Sequence, residues 1–95
     1  MSDYKYAIVE SALFKKTRKL VKKRGFDLAL LQEAIRILAS GKPLPAQYRD
    51  HQLKGRLSHL RECHLKGDWL LVYCIFEDKL ILSLYSTWTH ADLLE

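Results

Sequence analysis

The sequence predicts an α+β fold, with a two-helix hairpin packed on a mainly antiparallel sheet in the order β-α-α-β-β-β. Three observations lead there. A short β-forming segment is followed by two stretches whose apolar residues recur at helical spacing. The second half then changes to apolar runs of strand length separated by charged turns. Consecutive strands joined by short turns make an antiparallel meander, and two amphipathic helices can bury their stripes only by covering one of its faces. At 95 residues and 11.1 kDa, the chain is read as one domain over residues 1–95, with no linker and no internal repeat.

The elements follow in order. Tyr4–Val9 alternates, with Tyr4, Tyr6 and Ile8 on one side, and reads as the first strand. Ser11 is a helix N-cap, and Leu13, Phe14, Thr17, Leu20 and Val21 form the stripe of the first helix. Gly25 stands where a left-handed helix end belongs. Asp27 caps a second helix with the stripe Leu28, Leu31, Ile35 and Leu38, and Gly41, Pro43 and Pro45 end it. Residues 42–56 read as loop. Strands are expected over Leu57–Leu65, Trp69–Phe76 and Leu80–Trp88, with Leu80, Leu82 and Leu84 on one face and turns at Lys66-Gly67-Asp68 and Glu77-Asp78-Lys79. Thr89 and His90 lead into a short tail.

Composition narrows the class. Hydrophobic residues are 48% and aromatic residues 11%, enough for a core and too many for a disordered chain. No apolar run approaches the ~18 residues that span a bilayer. The N-terminal MSDYKYAIVE lacks the basic-then-apolar layout of a signal peptide. A soluble cytoplasmic protein is therefore expected, with no membrane partner. Two cysteines, Cys63 and Cys74, are too few for a disulfide scaffold.

The net charge is +5, but its distribution says more. Residues 12–61 carry thirteen basic and three acidic side chains, whereas residues 62–95 carry two basic and six acidic ones. Seven of the ten residues 15–24 are basic: Lys15, Lys16, Arg18, Lys19, Lys22, Lys23 and Arg24. A solvated helix face is the plain explanation. Seven like charges within three turns repel one another, however, and that cost favours a polyanionic partner.

Candidate chemistry rests on His51, His59, His64 and His90, since imidazole exchanges protons near neutral pH. His64 precedes the turn that Asp68 closes, His90 follows the last strand, and His51 lies in the loop before the sheet. Adjacent pairing in the meander would bring His64, Asp68 and His90 to one rim. Trp69 and Trp88 read as core or rim packing. A zinc site at Cys63, His64 and His90 lacks any usual ligand spacing, so no metal and no cofactor is expected. Phosphate-binding glycine loops and the G-x-S-x-G elbow are missing, which argues against a nucleotide-driven enzyme or a serine hydrolase.

Three segments carry a family resemblance. Leu44 to Gly55 (LPAQYRDHQLKG) resembles the L-P-x-x-Y-x-D-H-x-L-x-G segment of YafQ-type toxins, members of the RelE/ParE superfamily of bacterial type II toxin–antitoxin systems. Leu60-Arg61-Glu62-Cys63-His64 with Asp68-Trp69-Leu70-Leu71-Val72-Tyr73 resembles that family's R-[DE]-x-H-x-x-x-D-x-x-L-[IV]-Y segment, and Thr89–Leu94 its T-H-x-x-L-[FL] ending. The resemblance implies a RelE-like fold and a metal-free endoribonuclease that cuts mRNA in the ribosomal A site through attack of the 2′-hydroxyl. It places catalytic roles on His51, His64, Asp68 and His90. His51 is the expected base and His90 the expected acid, roles that can be exchanged, and Arg61 adds positive charge at the phosphate. Substrate-adjacent positions fall on Leu94, Trp88 and Ser86, where relatives carry an aromatic ring, glycine and arginine. The seven cations of residues 15–24, with Lys54 and Arg56, become an RNA-docking surface. Implied partners are the 70S ribosome, mRNA and a DinJ/RelB-like antitoxin, with operator DNA bound only through the antitoxin. The alternatives are a non-catalytic ribosome- or RNA-binding module and a ParE-like gyrase inhibitor.

Overall fold

Ser11 accepts a hydrogen bond from the Phe14 N–H at 2.9 Å and starts α1 (Ala12–Lys23). Asp27 accepts from the Ala29 N–H at 3.0 Å and starts α2 (Leu28–Ala39). Each cap satisfies a backbone donor that has no partner within its helix. Between the helices Gly25 takes φ +85°, a left-handed conformation that a side chain would oppose. The computed structural model describes residues 4–93.

The strands are β1 (Ala7–Glu10), β2 (His51–Gln52), β3 (Arg61–Lys66), β4 (Trp69–Phe76) and β5 (Ile81–Thr89), and a short helix, α3 (His90–Leu93), follows. They form one sheet in the order β1-β5-β4-β3-β2. Only β1 with β5 is parallel; the other neighbours are antiparallel. The α+β reading and the β3–β4–β5 meander therefore hold.

Several boundaries differ from expectation for local reasons. The first strand begins at Ala7, because the Lys5 and Tyr6 N–H groups both donate to the Ala39 carbonyl at the end of α2. The expected Leu57–Leu65 strand begins at Arg61, because Gly55–Leu57 winds into a 3₁₀ turn and leaves Leu57 exposed. The expected loop holds a second 3₁₀ turn, Ala46–Tyr48, and the two-residue strand β2. Leu80 does not share a strand face with Leu82 and Leu84: it sits in the turn at φ +53°, exposed, while both others are fully buried. Leu20 belongs to the predicted stripe of α1 but is exposed. Phe14, Thr17 and Val21 already fill the buried side, and Leu20 stands about 100° round the helix from Val21.

The helices cover one face of the sheet. Phe14, Val21, Leu31, Ala34 and Leu38 meet Cys63, Trp69, Leu71, Tyr73, Leu82 and Leu84 in a continuous core. Burial in this core pushes the Cys63 thiol up to about 12, which keeps it protonated and inert. Leu60, Leu70 and Val72 are also buried but stand outside that cluster. A bulge opposite Val72 and Tyr73 shifts the phase of β5. Leu82 and Leu84 face the core, and beyond the bulge Thr87 does so while Ser86 and Trp88 turn to the other side.

Past the last β1–β5 pair, Glu10 with Leu84, β5 has no strand on that side, and α1 supplies the missing partners. The Ser11 hydroxyl donates to the Tyr85 carbonyl, and the Thr17 Oγ1 accepts from the buried Thr87 N–H at 3.0 Å. The Thr87 hydroxyl in turn accepts from the Trp69 indole N–H at 2.8 Å and donates to the Leu70 carbonyl. Replacing Thr17 by Val keeps the shape and removes the acceptor. The expected cost is about 1–3 kcal/mol, the penalty of an unpaired buried N–H. Urea unfolding should show a lower midpoint at unchanged slope.

Candidate active site

Strand alternation divides β3 into two sides. Arg61 and Cys63 pair with Tyr73 and Leu71 on the helix side, so Glu62 and His64 face the open side. Register then builds two rows across the open face. One runs His51–Glu62–Val72–Ser86 and the other His64–Leu70–Trp88. His90 begins α3 immediately after β5, and its N–H donates to the Asp68 carbonyl at 3.1 Å. The ring of His64 lies between the other two, 6.1 Å from His51 and 5.8 Å from His90 by centroid. His51, His64 and His90 therefore converge on one surface, whereas His59 sits exposed in the segment before β3.

The loop that carries His51 is held by short-range chemistry. Arg49 closes the Ala46–Tyr48 turn in a left-handed conformation, φ +47°, which is costly for a non-glycine residue. Its carbonyl meets His51 Nδ1 at 2.8 Å, and its guanidinium Nη2 meets His64 Nδ1 at 3.2 Å. His51 Nε2 lies 3.0 Å from Oε1 of Glu62, whose carboxylate is buried. Asp50, between Arg49 and His51, accepts from Arg61 (Nη2 to Oδ2 at 3.0 Å) and from the Tyr73 hydroxyl. Burial and this carboxylate push the Tyr73 phenol well above its ordinary range.

Arg61 thus lies on the opposite face of β3 from His64 and serves the Asp50 carboxylate. The guanidinium that reaches the imidazoles belongs to Arg49. Asp68 holds His90 through its backbone. Its exposed carboxylate lines a cavity of about 320 Å³ with Phe26, Asp27, Leu30, Lys66 and Trp69, against the α1–α2 turn. Trp88 is half-buried beside Tyr85, and neither its indole Nε1 nor the buried Ser86 hydroxyl has a partner among the described residues. Leu94 lies outside the described residues.

α3 is clamped at its start. The Thr89 N–H donates to Asp92 Oδ2 at 2.9 Å and the Asp92 N–H to Thr89 Oγ1 at 3.3 Å, a reciprocal capping box around His90. Arg24, at the end of α1, grips the same carboxylate with two hydrogen bonds of 2.9 and 3.1 Å. The Arg24 guanidinium, then the Thr89 N–H, hold the Asp92 carboxyl down to about 2. Arg18 is likewise committed, in a two-pronged pair with Glu10. Of the seven cations in residues 15–24, Lys15, Lys16, Lys19, Lys22 and Lys23 remain along the outer face of α1, with Ala12 and Leu20 among them. Lys54 and Arg56 are exposed at the Gly55–Leu57 turn.

Sequence patterns alone do not single out Arg49, Glu62 or Asp92. Two of them nevertheless leave a signal. Glu62 is two residues from His64 on a strand and so must share its face, and Thr89-x-x-Asp92 is a capping-box spacing. The role of Arg49 depends on a backbone conformation that no local pattern announces. Among the described residues, His51, Glu62 and His64 form the one group with metal-ligand atoms within 4.8 Å of one another. Within that group His51 Nε2 meets Glu62 Oε1 at 3.0 Å, and the Arg49 guanidinium meets His64 Nδ1 at 3.2 Å.

An imidazole cluster on the face of a small sheet away from its helices is the build of an acid–base enzyme. Over residues 6–95 the chain matches the family described as a bacterial toxin of type II toxin–antitoxin systems, YafQ, and it belongs to that family. It is 39% identical over 84 residues to the mRNA interferase toxin YafQ of Escherichia coli K12, covering 87% of this chain and 89% of that one. The crystal structure of YafQ from Escherichia coli BL21(DE3) superposes with a TM-score of 0.87 at 33% identity, over 95% of this chain and 99% of that one. The Escherichia coli DinJ–YafQ toxin–antitoxin complex matches with a TM-score of 0.86 at 34% identity, over 96% and 99%.

The Asp92 clamp is testable. Asp92→Asn should lower stability by roughly 1 kcal/mol, the size of a capping interaction, and raise amide exchange in α3. Because folding depresses the Asp92 carboxyl, its contribution is present above the ordinary value of 3.8 and is lost as pH falls towards about 2. An acid titration of wild type against Asp92→Asn should show the two stabilities converging there.

Proposed function

We propose that this chain is an endoribonuclease toxin that cleaves mRNA in the ribosomal A site by acid–base attack of the 2′-hydroxyl on the adjacent phosphate. One observation carries the reading: three imidazoles stand in a row along the open face, neighbouring rings about 6 Å apart, with a guanidinium among them. Such a group can take a proton from the 2′-oxygen, give one to the leaving 5′-oxygen and hold the charge that grows on the phosphorus between them. Its product is a 2′,3′-cyclic phosphate, and the scheme asks nothing of a metal.

Docking follows from α1. Its five uncommitted lysines face outward, and its C-terminal end reaches Asp92, two residues beyond His90. Ribosomal RNA bound along this helix would lie next to the end of the site. The partner that silences the toxin is a DinJ-like antitoxin, supported by the antitoxin-bound relative, and operator DNA is reached through that antitoxin. Among the described residues no helix is long and apolar enough to cross a membrane.

Induction of the wild-type chain should arrest growth, and primer extension on translated mRNA should show breaks at fixed codon positions. His51→Ala and His90→Ala should each reduce cleavage by about 10²–10⁴-fold, the usual worth of an acid or base, and restore growth. Full toxicity in both variants would refute the reading. Changing Lys15, Lys16 and Lys19 to Gln should flatten the salt dependence of ribosome binding by about 0.7 in log–log slope for each phosphate that is no longer neutralised.

A further inference from the structure

We propose that Trp88 is a nucleobase platform: an unpaired base adjoining the cleaved phosphate lies flat on its indole, which Tyr85 steadies. The proposal rests on the ribonuclease reading above and extends it from the phosphate to the base beside it.

The chain has two tryptophans, and they are built differently. Trp69 is 3% exposed, packs in the core and donates its indole N–H to the Thr87 hydroxyl at 2.8 Å. Trp88 is only half-buried, turns to the open face and stands outside both the core cluster and the residues packed on it. Its Nε1 is shielded from solvent with no partner among the described residues. A buried indole N–H normally finds an acceptor, and one left unpaired costs stability. A ring that lies outside the core with its one polar atom unpaired is not accounted for by folding. Because Nε1 is shielded, the side-chain surface that Trp88 does expose is all carbon. Such a surface offers a substrate stacking and no hydrogen bond.

Position points to what uses it. Trp88 continues the row His64–Leu70 and stands two strand spacings, roughly 10 Å, from His64. The Tyr85 ring meets it at 6.5 Å by centroid and 81°, a T-shaped contact that holds the indole. Tyr85 is itself exposed, and its carbonyl takes the Ser11 hydroxyl beside the start of α1, where Lys15, Lys16 and Lys19 line the outer face. The order across the surface is therefore imidazoles, indole, phenol, lysines. Cationic or protonatable groups at both ends suit phosphates, and the rings between them suit bases, which is the layout that tracks a single strand. Stacking reads no hydrogen-bond pattern, so the platform accepts any of the four bases.

The test removes the ring and the base separately. Ribosomes carry an mRNA that lacks the nucleobase on either the 5′ or the 3′ side of the cleaved phosphate, and cleavage is compared with intact mRNA. With the wild-type chain, one of the two abasic mRNAs should show kcat/KM lower by roughly 5–150-fold, the equivalent of one stacked base. Trp88→Ala should lose a similar factor on intact mRNA and no more than about twofold further on that abasic one, the mark of a fully coupled pair. Trp88→Leu, apolar but without a flat face, should behave as Trp88→Ala does while melting near the wild-type temperature. Trp88→Phe should recover most of the loss and regain sensitivity to the missing base. Exchanging that base among the natural four should change the rate less than removing it. Equal wild-type rates on intact and abasic mRNAs would overturn the proposal. So would losses from Trp88→Leu and base removal that simply multiply, or a Trp88→Leu chain as active as wild type. A wild-type chain that leaves intact mRNA uncut would instead sink the ribonuclease reading itself.

Discussion

A single carboxylate keeps the open side of the sheet in order. The chain between α2 and β3 contains only one two-residue strand and two short turns, and a segment of that kind is mobile unless something ties it down. Asp50 is the tie. It accepts from the Arg61 guanidinium on β3 and from the Tyr73 hydroxyl on β4, both on the helix side of the sheet. Hydrogen bonds to a charged group in such a half-buried place are worth about 1.5–3 kcal/mol each. Its chain neighbours, Arg49 and His51, are the residues that touch the other imidazole and the buried Glu62. An anchor on one face of the sheet thus fixes the chemistry on the other, with the strand itself passing the constraint through.

How much of this is legible from residues alone depends on how local each cause is. Both helix caps, the Gly25 turn and the Trp69–Phe76 strand answer to nearest neighbours, and they stand where the pattern puts them. The phase of β5 does not. Simple alternation would keep Leu84, Ser86 and Trp88 on one face, and the bulge at Tyr85 sends the latter two to the other. The convergence of His51, His64 and His90 is only half visible. Spacing places each at a strand end or loop, but their meeting depends on the register of three separate strand pairs. Arg61 misleads because its type suits the phosphate while its parity on β3 places it on the far face.

The charge map changes meaning for the same reason. Composition counts seven cations on one short stretch, but two of them are structural. Arg18 locks Glu10 at the end of β1, and Arg24 locks Asp92 within the short helix that begins at His90. The arginines, whose planar fork suits a carboxylate, are taken up by Glu10 and Asp92, and the lysines, flexible point charges, face solvent. A single stretch therefore does two tasks that its summed charge cannot separate.

The pairing of β1 with β5 also sets a timetable. Ala7 lies beside Ile81, and the Tyr6 hydroxyl reaches Glu77, so among the described residues the opening strand finds its one neighbouring strand more than seventy residues later. Contacts that distant close slowly, and they cannot close at all until β5 has been synthesised. His90 comes after β5, and its clamp draws on Arg24 from the early half. A nascent chain therefore holds the basic α1 sequence well before it holds an assembled set of imidazoles. The fold withholds its cluster of imidazoles until the final strand is in place.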